Sequence, residues 1–294
     1  MTNRTGKAEK DPGGKGQPET SAWDHSSHEQ FYNYYAKESL SAQALQRFRS
    51  IRDTVLRVLA KERNAHRVYE VADVGCGAGT QCTLWAELGH HVHGLDVNEP
   101  LVELARKRAA KAGYAIDFEV GSAVALPWAD DSIDVCLVLE LLEHVAEWKE
   151  CLEESTRVLR PGGALLLTTT NKLCPRQQEF NLPLYSWYPA ALKRHCEHLT
   201  RTTRPELANY AKYPAVNWFS FYGLRAVLAG QGFHCLDRFD LIDTAKKNAL
   251  ARLSVALVRA VPLLRWLAHV STSGTILLGL KRTMRSESQC EREG

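Results

Sequence analysis

The sequence predicts an α/β fold in which a mainly parallel sheet carries helices on both of its faces. Between residues 68 and 170, short β-branched and apolar segments alternate with longer segments of helical periodicity. This alternation is typical of strand–helix–strand units. A glycine-rich turn joins the first strand to the first helix, and polar residues follow the ends of several strands. Because parallel sheets bind ligands at the carboxyl ends of their strands, we expect the functional site at that edge.

Each element of this sheet is predicted from its own pattern. We predict five strands near residues 68–74, 91–96, 115–120, 133–139 and 163–170. Helices are predicted near residues 80–88, 99–112 and 145–159, with a further helix before the sheet at 40–59. Beyond residue 222 the pattern indicates a helix at 223–230 and two more strands at 233–241 and 274–280.

The turn after the first strand has an unusual density of glycine. Asp73 is followed by Gly75, Gly77 and Gly79 at alternating positions, and a helical pattern begins near Thr80. Glycine adopts dihedral angles that a Cβ forbids, and it lets the backbone approach a ligand closely. Unpaired N–H groups at the start of a helix can bind an anionic or polar ligand. A tight turn without a ligand is the alternative interpretation.

The spacing of these glycines separates two classes of nucleotide site. A dinucleotide fingerprint requires G-x-G-x-x-G, whereas the third glycine here comes one residue early. The pattern from Asp73 to Gly79 instead resembles the first motif of the class I S-adenosylmethionine (SAM) methyltransferases. The next strand ends in Asp96, and an acid at that position can accept hydrogen bonds from both hydroxyls of a ribose. The resemblance implies that Asp96 binds the ribose of SAM.

The same resemblance implies the rest of the fold and of the cofactor site. It implies a Rossmann-like class I methyltransferase sheet of seven strands, the last pair antiparallel, with helices on both faces. The aromatic residues of this chain add a predicted aromatic-rich lid insertion. Relatives usually have Gly-Asp-Ala after the third strand, but this chain has Ser122, so we expect adenine recognition through its hydroxyl or through the backbone of Ala123. The predicted cofactor-binding residues are Asp73, Gly75, Cys76, Gly77, Gly79, Asp96, Val97, Ser122, Ala123 and Glu140.

The segment after the fourth strand carries the candidate catalytic residues. Glu140-x-x-Glu143-His144, with the later Leu159-Arg-Pro-Gly-Gly163, resembles the ubiquinone-biosynthesis O-methyltransferases. His144 is the predicted general base because the unperturbed pKa of histidine is near neutrality, and Glu143 is the second candidate. A structural, helix-capping histidine is the alternative.

The resemblance also implies a metal ion beside the acceptor. If a helix begins near Glu140, then Glu140, Glu143 and His144 lie close together and can hold Mg²⁺. The alternative is that Glu140 is a solvated acid and that His144 acts without a metal.

We predict a single methyltransferase domain over residues 23–282. It follows a disordered tail at 1–22 and precedes a frayed C-terminus at 283–294. Within it, residues 23–66 are predicted cap helices, in which Arg47 or Arg49 can pair with the methionine carboxylate of SAM. Residues 172–222 form the lid insertion and residues 246–270 an amphipathic helical insertion.

The two insertions suggest what the acceptor is. The lid is rich in aromatic and basic residues, which suits a flat, apolar or anionic small molecule, although its aromatics can equally pack on one another. In the second insertion the apolar residues keep helical spacing, Pro262 is predicted to break the helix, and arginines interrupt the apolar character. Such a helix can lie on a membrane surface, or it can cover the sheet with its apolar stripe.

Composition limits the remaining possibilities. A net charge of +3 gives no strong pull toward nucleic acid, and eight cysteines without a C-x-x-C pair favour a reducing compartment. We see no signal peptide and no apolar run of membrane-spanning length, so we expect a cytoplasmic protein, peripheral at a membrane if the second insertion binds one.

The predicted activity is SAM-dependent methyl transfer to a small molecule. The expected acceptor is a hydroxyl oxygen of an aromatic, lipophilic or glycosidic metabolite. N- or C-methylation, a nicotinamide-dependent enzyme and a non-catalytic SAM-binding protein are the alternatives.

Overall fold

The computed structural model describes residues 32, 37–62, 67–177, 179–208, 215–245 and 247–283. The predicted tail at 1–22 lies outside the described residues, as does nearly all of the predicted frayed C-terminus. The domain boundaries proposed from the sequence stay predictions.

Seven strands form one sheet in the order β3-β2-β1-β4-β5-β7-β6. Strands β1 to β5 pair in parallel, whereas β7 is antiparallel to both β5 and β6. This topology confirms the predicted seven-stranded sheet with an antiparallel last pair. The strands are β1 Glu70–Val74, β2 His91–Asp96, β3 Asp117–Val120, β4 Ile133–Leu139, β5 Leu159–Thr170, β6 Phe233–Asp237 and β7 Gly274–Lys281.

Eight α-helices are described around the sheet. The first precedes β1, the next three alternate with the parallel strands, and the last four lie between β5 and β7 in the chain. They are α1 Ala42–Glu62, α2 Thr80–Ala86, α3 Glu99–Ala112, α4 Trp148–Val158, α5 Ala190–Thr202, α6 Phe221–Gly230, α7 Ala249–Ala260 and α8 Pro262–Val270.

Two element boundaries differ from prediction for identifiable reasons, and the predicted break at Pro262 is observed. Strand β5 begins at Leu159 because that residue already pairs with Ile133, ahead of a register shift. Helix α4 begins at Trp148 rather than near 145, since the residues after β4 form turns. The helix predicted over 246–270 breaks at Val261, and Pro262 starts a second helix at a position where its missing N–H costs nothing.

Each face of the sheet has its own hydrophobic core. Side chains alternate across a strand, so neighbours such as Leu166 and Leu167 in β5 enter different cores. Helices α1, α2 and α3 cover one face with Leu59, Trp85 and Val102 among others. Helices α4 and α6 cover the opposite face. The prediction of helices on both faces is therefore confirmed.

The connection between β6 and β7 lies at the same edge as the carboxyl ends of β1 to β5. Strand β7 is antiparallel to β5, and Thr170 at the end of β5 pairs with Gly274 at the start of β7. Helices α7 and α8 precede Gly274 directly and therefore emerge at the edge where the site is expected.

Candidate functional site

The glycine turn after β1 needs its glycines for conformation and for space. Gly75, Gly77 and Gly79 have φ angles of 79°, 52° and 71°, in the left-handed region that side chains disfavour. A Cβ on Gly79 would lie 2.8 Å from both Ala105 Cβ and Phe118 Cζ. The turn therefore needs glycine for its left-handed dihedral angles and, at Gly79, for close packing against α3 and β3; close approach to a ligand stays a prediction.

Strand β2 holds this turn in place. The backbone N–H groups of Gly75 and Cys76 both donate to the carbonyl of Leu95, at 2.7 and 3.0 Å. Asp96 accepts from the N–H of Gly77 at 2.8 Å through one carboxylate oxygen and from Asn98 at 2.9 Å through the other. The structure therefore brings Asp96 to the glycine turn. Each of its oxygens keeps acceptor capacity for a further donor.

Two buried polar side chains beside this turn were missed by the sequence reasoning. Thr80 and Gln81 are 7% and 3% exposed at the start of α2. Neither the hydroxyl of Thr80 nor the amide oxygen and nitrogen of Gln81 has a hydrogen-bond partner among the described residues. Buried polar groups are normally hydrogen-bonded, so these atoms fit the donors and acceptors of a bound molecule. The only signal in the sequence was their position directly after the last glycine.

Asp73 is buried behind the turn rather than exposed to it. It is 3% exposed and accepts a hydrogen bond from the Cys82 thiol, with 3.3 Å between Oδ2 and Sγ. Burial raises the pKa of Asp73 to about 7, and the nearby charge of Asp96 acts in the same direction. This carboxyl group therefore keeps its proton to a higher pH than an exposed aspartate does.

The predicted adenine side of the site lies after β2 and β3. Val97 is 46% exposed directly after Asp96, while Ala123 is buried. Ser122 is exposed, and its hydroxyl oxygen accepts from the N–H of Val124 at 3.4 Å, which leaves it able to donate. The backbone N–H of Gly121 donates to the Asp96 carbonyl at 3.0 Å, so the two loops are joined.

The cap arginines predicted to pair with a methionine carboxylate lie on the surface of α1. Arg47 and Arg49 are both exposed, and the Arg47 guanidinium stacks over the ring of Phe48. The basic side chain that reaches the glycine turn comes instead from α3, where Arg108 donates to the carbonyl of Ala78 at 3.3 Å. The role proposed for Arg47 and Arg49 stays a prediction.

The helix expected at Glu140 is absent, and this removes the geometric basis of the metal site. Glu140 directly follows β4 and has a φ of 51°. Its backbone N–H donates to the carbonyl of Thr168 at 2.8 Å. Glu143 and His144 follow in turns, not on one helix face. Among the described residues, no group of three histidine, cysteine or acidic side chains is placed to hold a metal. The arrangement of Glu140, Glu143 and His144 therefore does not form a binding site for Mg²⁺.

Glu143 is a buried acid with a hydrogen-bonded side chain. It is 1% exposed, and its Oε2 accepts from the hydroxyl of Thr169 at 2.7 Å. Burial, reinforced by the charge of Glu140, raises the pKa of Glu143 well above the usual glutamate range. A raised pKa favours the protonated form of this carboxyl group, which suits a hydrogen-bond donor better than the general base predicted from the sequence.

His144 is partly buried in a turn that a distant segment clamps. Its N–H donates to the carbonyl of Leu141 at 2.8 Å. The side-chain amide of Asn217 donates to the carbonyls of Leu142 and Val145, at 3.1 and 2.6 Å, on either side of the histidine. The backbone N–H of Asn217 donates to the carbonyl of Glu143 at 3.0 Å. The segment that returns from the lid therefore sets the position of His144.

The lid contributes a third acid to this end of the site. Glu179 accepts a hydrogen bond from the backbone N–H of Ala215 at 3.3 Å. Burial raises the pKa of Glu179, and the charge of Glu140 raises this pKa further. Glu143 is influenced by both Glu140 and Glu179. The three carboxyl groups are thus close enough to influence one another, and sequence reasoning missed Glu179 because it lies 35 residues beyond the motif.

Many of the lid aromatics pack on one another. Phe180 stacks on Tyr185 with 4.0 Å between the ring centroids, and Tyr185 also contacts Tyr188 and Trp218. Phe219 and Phe221 enter the core of the main sheet instead. Tyr210 and Tyr213 lie outside the described residues. The self-packing alternative therefore describes much of this cluster, and its buried rings are not a stacking platform for nucleic-acid bases.

Comparison with known proteins places the glycine turn and the segment after β4 in one family. Residues 72–167 match the family model described as a methyltransferase domain. The chain is 34% identical over 125 residues to the ubiquinone biosynthesis O-methyltransferase of Chelativorans sp. (strain BNC1), covering 42% of this chain and 49% of that relative. It is 38% identical over 103 residues to the enzyme of the same name from Maricaulis maris, covering 35% and 41%. The chain thus spans about half the length of the curated relatives it matches.

A solved structure shares the fold over most of the chain. A protein from Pyrococcus horikoshii OT3 superimposes with a TM-score of 0.50 over 85% of this chain and 98% of its own, at 17% sequence identity. At this identity the likeness shows a common fold alone. It extends well beyond the 96 residues that the family model matches.

Proposed function

The chain contains a class I SAM-dependent methyltransferase domain, and from this premise we propose that the protein binds SAM and transfers its methyl group to a hydroxyl oxygen of a small molecule. The observation that carries the proposal is the set of unpaired, buried polar atoms of Thr80 and Gln81 beside the glycine turn. The acceptor is an aromatic, lipophilic or glycosidic metabolite.

The residues around the turn bind and orient the cofactor. The Asp96 carboxylate accepts hydrogen bonds from the ribose, while Thr80 and Gln81 satisfy the polar methionine end. Gly75, Gly77 and Gly79 provide close backbone approach, and Val97 with the 121–123 loop borders the adenine. When bound, SAM supplies a methyl group already activated on a sulfonium. The protein must hold the acceptor oxygen in line, about 3–3.5 Å from that carbon.

His144 removes the proton of the acceptor hydroxyl. Its position after β4 puts it at the carboxyl edge of the sheet, and the Asn217 clamp fixes the turn that carries it. Glu143 is a positioning residue tied to β5 through Thr169. Both predicted catalytic residues keep a role, with the base function assigned to His144 alone.

N-methylation is the second candidate, and the carboxyl groups of Glu140 and Glu179 favour it. They would attract a protonated amine and accept its proton before methyl transfer. A panel of paired phenols and amines of similar size, assayed with the same enzyme preparation, separates the two. A preference for the amine members would replace the hydroxyl assignment.

The assignment of His144 as the general base is tested by His144→Ala. His91→Ala is the control, because His91 is exposed at the start of β2. We expect His144→Ala to lower turnover by about 10²–10⁴-fold, the usual contribution of general base catalysis, with SAM affinity nearly unchanged. Turnover is measured from S-adenosylhomocysteine release, and affinity by calorimetry. Equal losses of affinity and turnover would show that His144 is structural.

A further inference from the structure

Helices α7 and α8 turn their apolar side chains to the outside of the molecule. The 12 residues of α7 include no buried residue, and the 9 residues of α8 include one, His269. Leu250 is 74% exposed and Leu263 is 65% exposed. The large apolar side chains exposed on the pair, which we call the outer face, are Leu250, Leu253, Leu257, Val261, Leu263, Leu264, Trp266 and Leu267.

Two of the three arginines on the same helices, Arg259 and Arg265, are turned inward. Arg259 donates to three backbone carbonyls in the loop after β6, at 3.0, 3.1 and 3.0 Å. Arg265 and His269 both bind the carboxylate of Asp237, which is 0% exposed, at 2.7 and 2.8 Å. An ordinary surface helix buries its apolar stripe and exposes its charges. This pair has the opposite arrangement.

The outer face is therefore not part of the core. The expectation that its apolar stripe covers the sheet is wrong, because leucines with the predicted helical spacing, such as Leu253 and Leu257, are 57% and 46% exposed. Eight large apolar side chains exposed along two adjoining helices mark an interaction site.

The positive charge around α7 and α8 favours an anionic partner. Lys247 and Arg252 are exposed on α7 or just before it, and the sequence contains no aspartate or glutamate from residue 244 to residue 286. Trp266, on the outer face, is a residue type enriched at membrane–water boundaries. We propose that the α7–α8 pair docks on an anionic lipid bilayer, with the outer face in the boundary between headgroups and acyl chains.

The geometry fits a helix pair that lies on the bilayer. In the described part of the chain no single helix is long and apolar enough to cross a membrane, whereas α7 and α8 together meet the length and composition and are bent by 105°. Arg259 and Arg265 hold one side of the pair on the protein, so only the outer face is available to lipid.

The docked surface lies next to the candidate acceptor site. Asn171, at the end of β5, donates to the carbonyls of His269 and Thr272 at 2.8 and 2.7 Å, which ties the end of α8 to the carboxyl edge of the sheet. An open groove of about 580 Å³ begins there, between Ser273 and the lid residues Leu182 and Leu184. If the proposed function holds, a lipophilic acceptor enters by this groove; the docking itself does not depend on it.

The test is flotation of the full chain with vesicles of equal parts phosphatidylcholine and phosphatidylglycerol, at low ionic strength. We expect binding that weakens with added salt and is much lower on phosphatidylcholine alone. Leu253→Asp combined with Leu263→Asp should lower the partition coefficient about tenfold or more, because burying each leucine is worth more than a tenfold change. Leu88→Asp, at a leucine 49% exposed between α2 and β2, should bind like the unmodified protein.

Charge is tested separately and self-association is the competing result. Lys247→Gln and Arg252→Gln should each lower binding to the anionic vesicles about fivefold. No binding of the unmodified chain to anionic vesicles would overturn the proposal. A dimer in sedimentation velocity that the double aspartate variant dissociates, without vesicle binding, would overturn it in favour of a second copy as the partner. The readout needs no methyl transfer, so its failure and that of the proposed function are distinguishable.

Discussion

At the scale of single residues, Asp96 joins the two loops that form the nucleotide edge of the site. Each carboxylate oxygen accepts one backbone N–H, from Gly77 and from Asn98. Burial raises the pKa of Asp96, while these backbone hydrogen bonds oppose the rise. The side chain therefore organises the site before any ligand arrives.

Asp96→Ala should weaken SAM binding by about 1–3 kcal/mol, the usual loss when a hydrogen-bonded charged partner is removed. Titration calorimetry measures the change. Asp117→Ala is the matched control, because Asp117 begins β3 with a side chain that is 79% exposed. Unchanged affinity in Asp96→Ala would remove the ribose assignment.

Glu143 gives the protein a pH dependence of known sign. Its folded-state pKa is raised, so the folded protein keeps this proton to higher pH than the unfolded chain does. Stability must then fall as pH rises from the unfolded glutamate pKa of about 4.3 toward the folded value.

Glu143→Gln should match the unmodified protein near pH 4 and become progressively more stable above it. The difference should grow by up to about 1.4 kcal/mol per pH unit, because the amide cannot ionise and still accepts from Thr169. Urea unfolding of the cofactor-free proteins between pH 4 and 8 measures it, with the exposed Glu150→Gln as control. Parallel curves would mean that Glu143 is ionised in the folded protein.

At the scale of elements, one buried aspartate anchors α7 and α8 on the sheet. Burial alone would raise the pKa of Asp237, but hydrogen bonds from His269 and Arg265 outweigh it and hold the pKa well below the usual range. The stability this contributes is present above the unfolded aspartate pKa of about 3.9 and is lost as the pH falls toward the folded value.

Asp237→Asn should cost about 1.5–3 kcal/mol of stability, because it removes the buried one of the two carboxylates that bind Arg265, Asp240 being the other. Asp243→Asn, in the loop that precedes α7, is the matched control. Thermal unfolding gives the loss, and hydrogen exchange should locate it in residues 249–270. Unchanged protection of those residues would show that other contacts hold the pair.

At the scale of the whole molecule, the sheet topology gathers residues from distant parts of the chain at one edge. The residues Asp96, His144 and Asn217 belong to three different parts of the chain. They meet at one edge of the sheet because the parallel strands that precede them end there. A ligand bound there bridges several elements and should stabilise the fold as a unit.

SAM at about one hundred times its dissociation constant should stabilise the protein by about 2.7 kcal/mol, which corresponds to a rise in melting temperature of roughly 5–10 °C for a domain near this size. NAD⁺ at the same concentration should give no shift, since the glycine spacing departs from a dinucleotide fingerprint. Gly77→Val, at a φ of 52°, should abolish the SAM shift. A shift with NAD⁺ instead would contradict the cofactor assignment.

The sequence by itself determined the sheet, its helices and the position of the cofactor turn. Strand and helix periodicities are local, and the φ angles of Gly75, Gly77 and Gly79 follow from a turn too tight for side chains. Pro262 likewise predicted the break between α7 and α8. Each of these signals is carried by neighbouring residues, so a linear pattern is sufficient to find it.

Only the tertiary structure decided the states and surroundings of the functional side chains. Glu140 has a positive φ, so no helix begins there, and the arrangement proposed to hold a metal ion does not form. Burial by remote segments raised the pKa of Glu143 and left the side-chain amide of Gln81 without a hydrogen-bond partner among the described residues. The leucines of α7 and α8 have the same spacing whether they face the sheet or the solvent; Asp237, from another strand, binds the arginine side and turns them outward. Burial and charge pairing depend on contacts distant in sequence, which periodicity does not encode.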